Sequence, residues 1–271
     1  FVLAVTFLIS YGLILLQWVL DKTVKTPDEL TARIPNAILL GSVPATTSLG
    51  AKKLGAAFKK TIERDRPFTE SVQTVRTGVF LTEPDKPNQV VLVSSALPGE
   101  GKTTISAALG VSMARVSRTL VVEADLRRPK LEKVFGLSVV KQGLAQCLSG
   151  QAIWSECVVK ADNYGVDVLP AGATPPNPLE LLGSQKFKNL IEEFRTQYDR
   201  IIIDSPPIVP VSDTLIAVSA VDAVIYVLRA GSTSSVVAEK AISNVIDAGG
   251  RPIGVVLNAL NMKRLSKYYG G

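Results

Sequence analysis

The 271 residues are 46% hydrophobic and 20% charged, which supplies a sizeable core and argues against a disordered chain. Only 6% are aromatic, which disfavours a base-stacking nucleic-acid surface, and the absence of histidine excludes histidine triads and histidine metal sites. The net charge of +6 is concentrated, since residues 22–66 hold nine Lys/Arg against four Asp/Glu while the rest is nearly balanced.

Phe1 to Leu20 contains no charged residue. About 20 apolar residues span a hydrocarbon core of roughly 30 Å as a helix, so 1–20 is expected to be a transmembrane helix. Trp18 near its end suits the interface, and Lys22 and Lys25 follow. The basic bias predicts that the rest of the chain lies on the cytoplasmic side of the membrane, near anionic lipid. The abrupt start at Phe1 reads as a fragment of a longer membrane protein, and two cysteines without metal spacing, Cys147 and Cys157, fit a reducing compartment.

Thr26-Pro27-Asp28-Glu29 predicts a helix start, with Thr26 as cap and Glu29 completing a capping box. Residues 21–69 as a whole read as a juxtamembrane linker. A helix is expected over Glu70–Leu81, ended by Pro84 and Pro87. From Gln89 onward, short apolar runs (Val90–Ser94, Leu120–Ala124, Val166–Pro170, Ile201–Asp204, Ala223–Leu228, Ile253–Leu257) alternate with helical patterns at Thr103–Val116, Ser184–Tyr198 and Ser234–Ala248. The alternation predicts an α/β fold with a mainly parallel sheet covered on both faces.

The sharpest signal is Ala96-Leu97-Pro98-Gly99-Glu100-Gly101-Lys102-Thr103-Thr104, between a strand and a helix. Such a loop aims backbone N–H groups at phosphate, assisted by the helix N-terminus. Residues Pro98 to Thr104 are therefore candidate nucleotide-binding positions. Lys102 would neutralise phosphate charge and the Thr103 hydroxyl would ligate Mg²⁺. The usual first glycine is Ala96. Two further strands end in carboxylates, Glu123 and Asp125 on one and Asp204 on the other. Ligands of open parallel sheets bind outside such strand ends, and Mg²⁺ takes one or two carboxylates. Alternation places Glu123 and Asp125 on one side, at the expected mouth of the site.

With these motifs in place, residues 90–265 resemble the bacterial tyrosine kinases, relatives of the partitioning ATPases. The resemblance is carried by Ala96–Thr104, by Glu123-Ala124-Asp125-Leu126-Arg127-Arg128-Pro129 and by Asp204-Ser205-Pro206-Pro207. It implies a P-loop kinase domain over 70–265 in which Lys102, Thr103, Asp125 and Asp204 organise Mg·ATP. The family has Asp at the position of Glu123 and uses it to activate the acceptor hydroxyl. Arg127 and Arg128 read equally as phosphate ligands or surface ion-pair partners. Asn258 occupies a position that related ATPases place against adenine, and a turn-forming Asn fits it nearly as well.

The final residues, 266–271, resemble the start of the family's tyrosine-rich tail, with Tyr268 and Tyr269 as phosphoacceptors. Glu70 to Arg76 falls where the family has an interface helix, with Gln73 replacing its first Arg, so Glu70 and Arg76 are candidate contacts in a homo-oligomeric ring. The resemblance implies ATP-dependent autophosphorylation of a neighbour's tail, coupled to polysaccharide polymerisation or export, with the membrane and the export machinery as partners and no nucleic acid. The alternative is a non-kinase, membrane-associated ATPase switch that controls assembly.

Overall fold

The computed structural model describes residues 6–7, 10–12, 21–35, 37–46, 54–83, 88–138 and 141–261. In chain order the elements are α1 (Pro27–Arg33), β1 (Leu39–Pro44), α2 (Leu54–Arg64), α3 (Arg66–Leu81), β2 (Val90–Ser95), α4 (Lys102–Ala114), β3 (Thr119–Glu123), α5 (Leu131–Phe135), α6 (Leu144–Ser149), α7 (Trp154–Cys157), β4 (Val159–Ala161), β5 (Val166–Leu169), α8 (Pro178–Leu182), α9 (Gln185–Gln197), β6 (Arg200–Asp204), α10 (Asp213–Ala217), β7 (Ala223–Arg229), α11 (Ser235–Asp247) and β8 (Pro252–Leu260). Eight strands form one sheet in the order β1-β8-β7-β2-β6-β3-β5-β4. Every pairing is parallel except β4 with β5.

The side-chain alternation of strands sorts the sheet residues into two cores. Val90, Leu92, Leu120, Val122, Ile201, Ile203, Val224 and Tyr226 pack with Phe187 and Phe194 of α9 and Ala238 and Val245 of α11. Val91, Val93, Val121, Ile202, Ile225 and Val227 pack on the opposite face with Val72 and Val75 of α3 and Ile105, Leu109 and Met113 of α4. Burial on both faces is why these strands read as continuous apolar runs. Gly110 lets α4 lie close to β3, since a Cβ there would stand 2.3 Å from Val121 Cγ2.

The predicted helices form close to their expected bounds, and capping explains the edges. Ser184 accepts from Phe187 N at 3.2 Å and Ser234 from Val237 N at 3.3 Å. Thr26 caps α1 through Glu29 N at 3.2 Å, but Glu29 accepts from Lys25 N at 2.8 Å rather than closing the reciprocal box on Thr26. α3 starts four residues before the expected Glu70, because Asp65 caps it by accepting from Phe68 N at 3.1 Å and Pro67 fits its first turn.

Residues 21–69 are not a free linker. β1 pairs with β8, with Leu39 opposite Val255 and Ser42 opposite Leu257. Pro44 is tolerated because β1 is an edge strand. Ahead of it, Val24 is fully buried, Val24 N donates to Thr233 O at 3.0 Å, and Gly231 N donates to Val24 O at 2.8 Å. Most of the expected transmembrane helix, 1–20, lies outside the described residues. Among the described residues no helix is long and apolar enough to cross a membrane. Tyr268 and Tyr269 also lie outside the described residues.

Candidate active site

The segment from Ala96 to Gly101 leaves β2 and turns into α4 at the carboxyl end of the sheet. Gly99 and Gly101 adopt φ of +84° and +96°, the left-handed region that favours glycine. The loop is held from the β7 and β8 side. Arg229 Nη1 donates to Gly99 O at 3.2 Å, and Asn258 Nδ2 donates to Glu100 O at 2.8 Å. A Cβ on Gly101 would meet Asn258 Nδ2 at 2.1 Å. Asn258, expected against adenine, thus donates one of its two amide N–H groups to the loop itself.

Glu100 lies within the expected nucleotide-binding loop, yet its carboxylate turns inward and is 2% exposed. It accepts from Leu97 N at 2.5 Å, from Arg229 N at 3.4 Å and from the Thr233 hydroxyl. Burial pushes its pKa up, against these hydrogen bonds. Glu100 therefore shapes the loop with its side chain, and only its backbone is left to face a ligand. Nothing in the sequence pairs Glu100 with Thr233, which lies on the far side of β7.

The three predicted strand-end carboxylates converge but face different ways. Lys102 Nζ donates to Asp125 Oδ2 at 2.8 Å and lies 3.9 Å from Asp204 Oδ2. Burial pulls the Lys102 pKa down, but Asp204 and Asp125 outweigh it and the net shift is upward. Asp204 is fully buried, with the Ser106 hydroxyl 3.0 Å from Oδ1, and burial pushes its carboxyl up, against Lys102 and Thr103. Its Oδ2 is buried without a hydrogen-bond partner. An orphaned carboxylate oxygen beside a threonine hydroxyl suits a divalent cation, so the residues present fit Mg²⁺.

Glu123, expected at the mouth of the site, is wholly buried. It sits beside Asp204 in the β3–β6 register. Its Oε1 accepts from Leu131 N at 2.7 Å and from Lys130 N, and its Oε2 from Ala171 N at 3.3 Å. Burial pushes its carboxyl up to about 7, against the Leu131 and Lys130 hydrogen bonds. The carboxylate thus ties the start of α5 and residue 171 back to the end of β3. The extra methylene relative to Asp gives it the reach to bridge residues 130, 131 and 171.

A cleft of about 470 Å³ opens over these groups. Pro98, Gly99, Gly101, Lys102, Thr103 and Thr104 line it, together with Asp125, Arg127, Arg128 and Lys130. Pro206, Pro207, Pro210 and Val211 line an apolar wall. Asp125 is the one of the three carboxylates that lines it; its Oδ1 accepts from Arg128 N at 3.1 Å. Arg127 resolves to the ion-pair reading. Its Nε and Nη2 donate to Asp213 at 2.7 and 3.0 Å, and this pairing raises its pKa. Arg76 on α3 lies elsewhere, donating to Ser112 O at 2.7 Å, while Glu70 is exposed.

A doubly covered parallel sheet with a lysine-bearing glycine loop between strand and helix, flanked by strand-end carboxylates, defines a P-loop nucleotide-binding domain. Residues 88–247 match the family model described as an AAA domain. The tyrosine-protein kinase YwqD of Bacillus subtilis is 33% identical over 201 residues, 74% of this chain and 84% of that protein. The kinase domain of the Escherichia coli tyrosine kinase ETK superposes with a TM-score of 0.81 at 25% identity, covering 88% of this chain and 95% of that one. The VpsO kinase domain is 40% identical with a TM-score of 0.68, covering 73% and 98%. The chain belongs to the bacterial protein-tyrosine kinases.

Proposed function

We propose that this kinase uses Mg·ATP to phosphorylate Tyr268 and Tyr269 in the C-terminal tail of a neighbouring subunit. It does so at the cytoplasmic face of the bacterial inner membrane, and in this way controls polymerisation or export of a surface polysaccharide. The observation that carries the chemistry is Lys102 held between Asp125 and Asp204 at the phosphate loop. The loop amides and Lys102 would bind phosphate oxygens, and Thr103 and Asp204 would hold the cation, while Asp125, also expected as a metal ligand, is turned to Lys102. Bound Mg·ATP supplies the phosphoryl group and spreads its charge onto the metal. Asp125, facing the cleft and freed as Lys102 turns to the phosphate, would orient the acceptor hydroxyl and take its proton while the phosphoryl group passes to the acceptor oxygen and ADP leaves. Glu123 acts on this arrangement through the backbone of the 124–131 loop.

The charge-free run over 1–20 supports the membrane assignment, and the basic stretch after it supports the cytoplasmic orientation. The paired tyrosines of the tail support autophosphorylation, and tethered subunits favour transfer between neighbours. The test mixes Lys102→Met protein carrying an intact tail with Tyr268→Phe/Tyr269→Phe protein carrying an intact site, and adds Mg·ATP. Phosphotyrosine on the Lys102→Met chain is expected. Its absence, with parent protein labelled normally, would overturn transfer between subunits.

A further inference from the structure

The cleft is asymmetric in charge. Three cationic side chains follow Asp125 on the β3–α5 loop, and they are not equivalent. Arg127 is neutralised by the bidentate contact with Asp213, a carboxylate only 1% exposed. Arg128 and Lys130 are exposed, line the cleft, and make no side-chain ion pair among the described residues. Their backbone N–H groups are fixed to Asp125 and Glu123, so the loop holds them at the rim. None of the three site carboxylates answers them, because Asp125 is paired with Lys102 and both Glu123 and Asp204 are fully buried. They stand on the β3 side of the phosphate loop, away from Arg229 and Asn258, which grip it from β7 and β8. They therefore lie past Asp204 in the sheet order. The same cleft is lined by Pro206, Pro207, Pro210 and Val211, an apolar surface suited to an aromatic ring.

We infer that Arg128 and Lys130 select acceptor peptides carrying a negative group, a carboxylate or a phosphotyrosine, next to the tyrosine being phosphorylated. This rests on the kinase reading above and adds its acceptor specificity. Residues 261–271 contain no Asp or Glu, and Lys267 precedes Tyr268. A first phosphate on this tyrosine pair thus creates a negative group that the rim recognises, and the second tyrosine of the pair becomes the better acceptor. Tail phosphorylation on this reading accelerates after its first event.

The experiment uses the parent protein with three synthetic peptides covering residues 263–271 and Tyr268 as acceptor. Position 269 is varied as Tyr269→Phe, Tyr269→Glu and phosphorylated Tyr269. Two exposed charge pairs are worth roughly a five- to tenfold lower KM for the Glu and phosphotyrosine peptides than for the Phe peptide. This preference should collapse at ~0.5 M salt, where exposed charges are screened. In Arg128→Gln/Lys130→Gln protein the ratio should approach one, with the KM for ATP within about twofold of the parent's, the reading that separates acceptor recognition from nucleotide binding. Equal KM values for the three peptides with the parent protein would overturn the inference while leaving the kinase reading intact. A raised KM for ATP with undiminished peptide preference would assign the two cations to nucleotide and overturn it as well. Failure to label any peptide would overturn both readings.

Discussion

Lys102 lies between two carboxylates at the ends of separate strands, with Nζ 2.8 Å from Asp125 Oδ2 and 3.9 Å from Asp204 Oδ2. Lys102→Met should abolish ATP-dependent labelling and also expose the buried carboxylates to mutual repulsion. Removing one partner of a buried ion pair costs about 3–5 kcal/mol, so a lower Tm is expected for a chain that still folds. Millimolar Mg²⁺ should recover part of that loss if the cation settles beside Asp204. Unaltered labelling would remove Lys102 from the reaction.

Asn258 links the end of β8 to the phosphate loop through Glu100 O at 2.8 Å. Asn258→Ala should loosen the loop and weaken nucleotide affinity by roughly fivefold to tenfold, the worth of one hydrogen bond. The preference for ATP over GTP should be unchanged, because the amide holds the loop. A collapse of base preference in nucleotide titrations would assign the amide to adenine.

Glu123 has a folded-state pKa of about 7 against an ordinary 4.5. Below about pH 4.5 both the folded and unfolded chains are protonated there and the group contributes nothing. Between 4.5 and 7 the unfolded chain ionises first, so the folded state holds more protons and loses stability as pH rises. The loss reaches about 3 kcal/mol by pH 8. Glu123→Gln removes this titration, so its Tm should fall less than the parent's between pH 5 and 8. Parallel Tm profiles for the two proteins would show that Glu123 ionises normally.

Arg76 is committed to Ser112 O at 2.7 Å, and so helps fasten α3 to α4, whereas Glu70 is exposed. Glu70→Lys is therefore the cleaner probe of the expected interface helix. It should reduce oligomer size in detergent with Tm unchanged. Equal masses for parent and variant would remove Glu70 from the interface.

The strand–helix alternation and the phosphate loop were legible because each is local: apolar runs mark doubly buried strands, and Gly99, Gly101 and Lys102 sit together in sequence. Serine caps such as Ser184 and Ser234 made helix starts readable for the same reason. What sequence reading missed depends on distant partners. β1 resembled a linker because Gly41 and Pro44 interrupt a short apolar run, and only its pairing with β8 makes it a strand. The alternation that puts Glu123 and Asp125 on one side breaks where β3 ends at Glu123, so one carboxylate is buried and the other faces the cleft. Asp213 pairs with Arg127 across 86 residues, which no spacing rule announces.

The register of β1 and β8 fixes where the tail begins. Ala45 N donates to Leu260 O at 2.8 Å at the carboxyl end of the sheet, the same end as the phosphate loop. β8 is two strands from β2, about 10 Å at the usual spacing. The eight residue steps from Leu260 to Tyr268 span at most about 28 Å when extended. The tyrosines proposed above as acceptors are thus within reach of their own cleft as well, at an effective concentration on the order of millimolar, so labelling within a subunit competes with the proposed transfer between neighbours. A neighbour's tail wins only where subunits are packed densely enough to exceed that figure. The balance between self-labelling and exchange between neighbours then becomes a readout of local crowding, and dilution into excess detergent should shift it toward the intramolecular route.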